Sequence, residues 1–233
     1  MSHGDNDTYW KDVGMDVVDQ VADYKDIPVY HLTGWFDSNL GGTNLNWIAL
    51  SKTKHNQKLI IGPWWHGGAR HTTAGEAEFG PSASIDPDQL TWRWFDHWLK
   101  SVDNGIDHEA PVRLFIIGGG DGHKTSEGHI FVGGHWRDEP EWPLKRSIQT
   151  SYYLHSTGVL STEKPSKEPP NGYEFDPTRP VPTIGGNIAA HFGPLSHHNT
   201  IERPGDSGLR LTGFVGFRFC RYACDCQACC RCI

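Results

Sequence analysis

Two short segments contain side chains suited to acid–base catalysis. The first, Gly-Trp-Phe-Asp, occupies residues 34–37, and the second, Gly-Pro-Trp-Trp-His-Gly-Gly, occupies residues 62–68. Each follows an apolar run typical of a buried strand, and the carboxyl ends of neighbouring parallel strands are where catalytic groups gather. The spacing therefore predicts that Asp37 and His66 meet in space. A carboxylate that accepts a hydrogen bond from an imidazole is the acid–base half of a Ser-His-Asp triad.

Both residues also have ordinary structural interpretations. An aspartate directly after a strand often forms a turn or caps a helix, and the Ser-Asn-Leu that follows Asp37 allows this. A histidine beside two tryptophans, as His66 is, often serves only to pack and to form hydrogen bonds. Spacing alone leaves these alternatives open.

The elements that would position the pair alternate between strands and helices. Residues 27–34 and 57–63 are predicted strands, and residues 41–51 and 86–102 are predicted helices. The last is the clearest, because an aspartate at its start is a good N-cap and a proline follows at the first helical position. Before them, residues 12–24 have apolar residues at helical spacing. This order predicts the end of a parallel α/β sheet.

The pattern of predicted elements changes after residue 105. Strand candidates at 112–117, 129–132 and 150–155 are separated by turns rich in glycine, proline and charge. This pattern predicts an antiparallel β domain, a sandwich or jelly roll, with the boundary near residues 103–111. A stretch rich in proline, lysine and glutamate, residues 161–182, is a predicted surface loop.

Composition narrows the range of partners and cofactors. The 21 basic and 28 acidic residues give a net charge of −7, and no Lys/Arg cluster indicates nucleic-acid or anionic-membrane binding. No apolar run approaches the roughly 18 residues of a membrane span, and the amino terminus lacks the pattern of a signal peptide. The chain as written is expected to be cytoplasmic, without a membrane partner. Its histidines are scattered, and neither a metal nor another cofactor is expected.

All six cysteines lie in the last fourteen residues of the chain. A zinc site would use two C-x₂₋₄-C pairs separated by a loop, and this run is denser and less regular. Residues 206–233 are therefore predicted to be a non-native tail, such as a frame-shifted translation, rather than a metal site.

The two loop segments resemble the paired signature of the X-Pro dipeptidyl-peptidase, cocaine esterase and α-amino acid ester hydrolase family. The similarity runs from about residue 9 to about residue 203 and continues through further segments, namely 92–100, 112–115, 135–137, 141–144, 152–156 and 180–187. The resemblance implies a partial α/β-hydrolase sheet in residues 1–105, with the tail of a helical cap at 9–24, and an incomplete jelly-roll β-sandwich in residues 106–205. It also implies that Asp37 and His66 are the acid and the base of the catalytic triad.

The chain departs from the family pattern in one respect that bears directly on activity. The family carries its nucleophile on a G-x-S-x-x-G elbow upstream of the acid, and this sequence contains no such elbow. The resemblance therefore implies a serine hydrolase acting on acyl bonds, either an ester or an X-Pro dipeptide amide, with a small-molecule ester or peptide as substrate. This chain, without its nucleophile, is expected to be inactive alone. The alternative is a non-catalytic β-sandwich binding module or a pseudogene product, and the oligomeric state is not predicted.

Overall fold

The computed structural model describes residues 8–12, 17–170, 172, 174, 176–178 and 230–231. These residues divide into two compact units, one reaching to Trp142 and the other starting at Pro143. Within the described residues, the helices are α1 (Thr8–Asp12), α2 (Leu40–Leu50) and α3 (Pro87–Lys100), and the strands are β1 (Val29–Gly34), β2 (Gln57–Gly62), β3 (Thr73–Ala74), β4 (Ala77–Glu78), β5 (Val112–Ile117), β6 (Ile130–Phe131), β7 (Gly134–Glu139), β8 (Ser151–Leu154), β9 (Leu160–Ser161) and β10 (Cys230–Arg231).

The first unit is built on a four-stranded sheet in the order β1-β2-β5-β7. The strands β1, β2 and β5 are parallel, and β7 runs antiparallel to β5. Helices α2 and α3 occupy the two connections between the parallel strands, which is the βαβ arrangement. Beside this sheet, β3, β4 and β6 form a smaller three-stranded sheet.

The core lies around β2, whose six residues are all buried. Leu59 and Ile61 point to one face, where they pack with Trp47 of α2 and with Val112 and Leu114 of β5. A separate cluster contains Phe79, Ala83 and Phe115. A strand buried on both faces is expected at the centre of a parallel sheet, and its run of apolar residues is what made it recognisable in the sequence.

Helix α3 begins and ends where its sequence signals predict. The Asp86 carboxylate accepts a hydrogen bond from the backbone N–H of Asp88, and Pro87 occupies the first helical position. The helix ends at Ser101, which adopts a left-handed conformation with φ of 58°. The predicted helices over 41–51 and 86–102, and both predicted strands before them, are confirmed within a few residues.

Two expectations about the first unit are wrong. Strand β5 was assigned to a separate β domain, and the structure pairs it in parallel with β2, because α3 provides the crossover that returns the chain to the same sheet. The first unit accordingly continues to Trp142, past the boundary expected near residues 103–111. Of the expected helix over residues 12–24, residue 12 ends α1, and the described residues 17–24 form no α-helix but a single 3₁₀ turn at Val18–Gln20. Clustered β-branched valines weaken a short helix, and Val18 is exposed.

In the second unit, β8 lies between β9 and β10 in a three-stranded antiparallel sheet. The jelly-roll assignment for residues 106–205 stays a prediction. Of the expected cysteine-rich tail, residues 206–233, only 230–231 fall within the described residues. Across the part of the chain that the structure describes, the helices are too short and too polar to cross a lipid bilayer.

Candidate active site

The loops that follow β1 and β2 are joined by backbone hydrogen bonds beyond the ends of the strands. The N–H of Trp35 donates to the carbonyl of Gly62 at 2.8 Å, and the N–H of Phe36 donates to the carbonyl of Trp64 at 3.1 Å. The parallel pairing of the strands thus continues into the loops. As a result, the two segments that carry Asp37 and His66 leave the sheet side by side.

Close contacts with Trp64 require glycine at the ends of both strands. A Cβ on Gly34 would lie 2.0 Å from the carbonyl oxygen of Trp64. A Cβ on Gly62 would lie 2.3 Å from the six-membered ring of the Trp64 indole. A side chain on Gly34 would push the two loops apart, and one on Gly62 would displace the Trp64 ring, and this explains physically why each loop segment begins with glycine.

Tryptophan side chains hold both loops against the rest of the first unit. The Trp35 indole N–H donates to the carbonyl of Phe115 at 2.7 Å, and the buried Trp64 indole N–H donates to the carbonyl of Ala83 at 2.8 Å. The Trp64 ring also packs against Trp136, with 5.7 Å between ring centroids. A buried indole N–H is destabilising unless it donates a hydrogen bond, so these contacts fix the positions of the loops.

The structure brings Asp37 and His66 together, as the spacing predicts. The Nδ1 atom of His66 lies 3.2 Å from Oδ2 and 3.3 Å from Oδ1 of Asp37. The Asp37 side chain is 10% exposed, whereas the His66 side chain is 42% exposed. The carboxylate is thus sheltered and the imidazole reaches solvent. When Nδ1–H donates to Asp37, Nε2 becomes the basic nitrogen of the ring.

Asp37 also forms the turn that its sequence context suggests. Its Oδ1 accepts a hydrogen bond from the backbone N–H of Asn39 at 2.8 Å, and its carbonyl accepts one from Leu40, the first residue of α2. The turn-forming and the His-orienting interpretations of Asp37 therefore hold at the same time. The turn fixes the carboxylate before it meets the imidazole.

Asn39 is a residue of this site that the sequence did not indicate. Its side-chain amide nitrogen lies 3.1 Å from Nδ1 of His66, the same atom that faces Asp37. An asparagine two residues after an aspartate is common in turns, so its type and position carry no signal of contact with a histidine 27 residues further along.

A second Ser-His-acid group lies in the second unit and was also not anticipated. His155 Nδ1 lies 2.8 Å from Oε1 of Glu168, and its Nε2 lies 3.0 Å from the Ser161 hydroxyl and 3.1 Å from the carbonyl of Glu163. A carbonyl accepts only from a protonated nitrogen, so this histidine donates from both sides. The hydrogen bond with Glu168 raises the pKa of His155. A ring that donates from both nitrogens has no lone pair to take a proton from serine, and the group acts as a clamp on the loop after β9.

Two other titratable groups of the first unit have structural partners. His31 is buried, burial lowers its pKa, and it hydrogen-bonds Gln57. Lys58 is buried and pairs with Glu109. Within the described residues, His, Cys, Asp and Glu side chains form no group of three or more able to hold a metal ion.

Comparison with known proteins connects this geometry to a family. A family model described as X-Pro dipeptidyl-peptidase (S15 family) matches residues 1–68, which contain both Asp37 and His66. The cocaine esterase of Rhodococcus sp. (strain MB1 Bresler) is 27% identical over 205 residues, covering 83% of this chain and 32% of the esterase. A putative serine esterase of Mycobacterium bovis is 27% identical over 157 residues, covering 67% of this chain and 21% of the relative.

A solved structure resembles the fold as well. The crystal structure of an aminopeptidase from a marine sediment Thaumarchaeota archaeon superposes with a TM-score of 0.51 at 19% identity, covering 83% of this chain and 30% of the aminopeptidase. At this identity the likeness concerns the fold alone. The chain spans about a third, or less, of the length of the relatives that it matches.

Proposed function

We propose that this chain is part of a hydrolase of the X-Pro dipeptidyl-peptidase and cocaine esterase family, and that Asp37 and His66 are the acid and the base of its serine-hydrolase triad. The observation that carries this proposal is the contact of 3.2 Å between His66 Nδ1 and the sheltered carboxylate of Asp37. In chain order, the acid precedes the histidine, as in other α/β-hydrolases.

The proposed mechanism follows from the protonation states of the pair. Asp37 accepts the Nδ1–H of His66, which leaves Nε2 to remove the proton of a serine hydroxyl as the oxygen attacks the acyl carbonyl. The imidazolium that forms is stabilised by the neighbouring carboxylate. His66 then returns the proton to the leaving alcohol or amine, and the same base activates water to release the acyl group.

The serine itself is proposed to lie outside these 233 residues. The sequence has no G-x-S-x-x-G elbow, and the nearest candidate, Ser82, lies in a 3₁₀ turn at Pro81–Ala83 rather than in a sharp turn that joins a strand directly to a helix. Without a nucleophile no acyl-enzyme forms, and without oxyanion donors the tetrahedral intermediate is not stabilised. We therefore expect no serine-hydrolase turnover from this chain by itself.

The proposed substrates are small-molecule esters or X-Pro dipeptide amides. The relatives support this class by name, since two are esterases and the matching family model is that of a dipeptidyl-peptidase. The antiparallel sheet in the order β10-β8-β9 is consistent with the proposal that the second unit is part of a jelly-roll β-sandwich.

The first experiment tests whether the chain by itself has serine-hydrolase activity. The purified 233-residue chain is assayed with a p-nitrophenyl ester and an X-Pro p-nitroanilide, and is treated with a fluorophosphonate probe that labels activated serines. We expect neither an acyl-enzyme burst nor labelling. A burst that disappears in His66→Ala would overturn the proposed inactivity.

The second experiment tests the triad in a longer polypeptide. DNA flanking the coding region is sequenced, and an open reading frame that supplies a G-x-S-x-x-G elbow is expressed together with these residues. There, Asp37→Asn and His66→Ala are each expected to lower kcat by about 10³–10⁴-fold or more. The matched control is His55→Ala, which removes an exposed histidine that pairs with Asp26 in the same unit. Full activity of His66→Ala, or flanks with no elbow in any frame, would end the enzymatic proposal.

A further inference from the structure

The position of Asn39 bears on which nitrogen of His66 carries the proton. The Asn39 backbone N–H donates to Asp37 Oδ1 at 2.8 Å, and its side-chain amide lies 3.1 Å from His66 Nδ1. Asn39 thus touches both members of the pair. It belongs to the turn that precedes α2, so its backbone is tied to the same element as Asp37.

The contact between Asn39 and His66 has two mutually exclusive forms. If the amide NH₂ faces Nδ1, that nitrogen has to be an acceptor, and its lone pair then also faces the Asp37 carboxylate at 3.2 Å. If the amide is rotated so that its oxygen faces Nδ1, the nitrogen is a donor and its single proton is shared by two acceptors. The oxygen and nitrogen of an asparagine amide are assigned from the hydrogen-bond network, so chemistry decides between the two forms.

Electrostatics favours the form in which the amide oxygen faces the ring. An unprotonated Nδ1 would place a lone pair against a carboxylate that is only 10% exposed, and an unfavourable contact of this kind is poorly screened in a sheltered site. A protonated Nδ1 satisfies the carboxylate and the amide oxygen together. The Asp37 contacts alone, at 3.2 and 3.3 Å, are at the long end for an N–H···O bond, and a second acceptor compensates for their length.

We propose that Asn39 is a positioning residue whose side-chain oxygen shares the Nδ1–H of His66 with Asp37, and so keeps Nε2 unprotonated. The ring of His66 is 42% exposed, and the contact with Asn39 restrains its orientation. The catalytic consequence rests on the proposed triad, in which Nε2 is the base. The effect on the tautomer does not depend on the proposed triad, because the tautomer of His66 is a property of this chain with or without a nucleophile.

The test measures the tautomer directly by ¹⁵N NMR of the full chain labelled at histidine. The spectrum of neutral His66, assigned by its loss in His66→Gln, distinguishes a protonated from an unprotonated Nδ1. In the unsubstituted chain we expect Nδ1–H to predominate. In Asn39→Ala the ratio of Nδ1–H to Nε2–H is expected to fall about two- to tenfold, the effect of losing one neutral hydrogen bond.

Two further variants separate positioning from folding. Asn39→Asp keeps an acceptor at the same place and is expected to retain the Nδ1–H form of His66. If Asn39→Ala acted only by damaging the turn, this rescue by aspartate would not be expected. Ser38→Ala, at the adjacent exposed residue, is the matched control and should leave the ratio unchanged. An unchanged ratio in Asn39→Ala, or an Asn39→Asp spectrum equal to that of Asn39→Ala, would overturn the inference. Retained hydrolysis by His66→Ala in the longer polypeptide would instead overturn the triad and leave the tautomer result standing.

Discussion

Gly34 lies where β1 meets the loop that carries Asp37, and replacing it with alanine tests how the two loops are held together. The added Cβ would lie 2.0 Å from the Trp64 carbonyl oxygen, which is backbone and cannot rotate away. The strain has to be relieved by separating the loops. That movement lengthens or breaks the hydrogen bonds that Trp35 and Phe36 donate to Gly62 and Trp64.

The magnitude follows from these two effects. Overpacking in a tightly packed site costs about 1–3 kcal/mol. Two backbone hydrogen bonds contribute about 0.5–1.5 kcal/mol each. We therefore expect Gly34→Ala to lower the free energy of unfolding of the first unit by about 2–6 kcal/mol. This is a large part of the roughly 5–15 kcal/mol that stabilises a typical domain.

The assay is equilibrium urea denaturation followed by tryptophan fluorescence, because Trp64 lies at the altered contact. The matched control is Gly41→Ala, in the first turn of α2, where a Cβ would meet no atom within 4 Å. Alanine there should leave stability unchanged or raise it by up to about 1 kcal/mol, since it favours helix. Equal stability of Gly34→Ala and Gly41→Ala would refute the reasoning from close approach.

Two other substitutions probe charged groups away from the candidate site. Glu109→Gln leaves the buried Lys58 ammonium without its carboxylate and should lower the free energy of unfolding by about 3 kcal/mol, the low end for a broken buried pair because Glu109 is 38% exposed. The double variant with Lys58→Met should be more stable than the single variant in urea denaturation. The reverse order of stability would contradict this interpretation. The hydrogen bond with Glu168 raises the pKa of His155. The contribution of this hydrogen bond to folding stability should therefore be complete below the ordinary histidine pKa of about 6.5, and it should be lost as the pH rises through the raised pKa of His155. Glu168→Gln should lower the NMR titration midpoint of His155 toward 6.5, and an unchanged midpoint would show that another group raises it.

Residues within a single element made much of the first unit predictable. The cap formed by Asp86 and Pro87 marked the start of α3, and the apolar run of β2 marked a strand buried on both faces. The glycines at the ends of β1 and β2 marked the ends of both strands to within one residue. Each of these signals depends on contacts within a few residues, so it is legible in the chain without knowledge of the fold.

The pairing of the strands was harder to predict from the sequence than the strands themselves. The short apolar segment of β5 suits a parallel or an antiparallel sheet equally well, and its neighbour β7 follows it as a hairpin partner would. Its place beside β2 depends on the path of α3, which brings together strands about 50 residues apart. Periodicity contains no information on such partners, and for this reason the domain boundary was placed too early.

For the candidate site, the sequence by itself determined which residue types follow the two strands and in what order, and the tertiary structure decided what they touch. The close approach of Gly34 to Trp64 brings Asp37 within 3.2 Å of His66, and it also places Asn39 against the same ring nitrogen. The first contact was predictable because parallel strands end at a common edge. The second was not, because it depends on the direction of one side chain in a turn, which only the packed loops define.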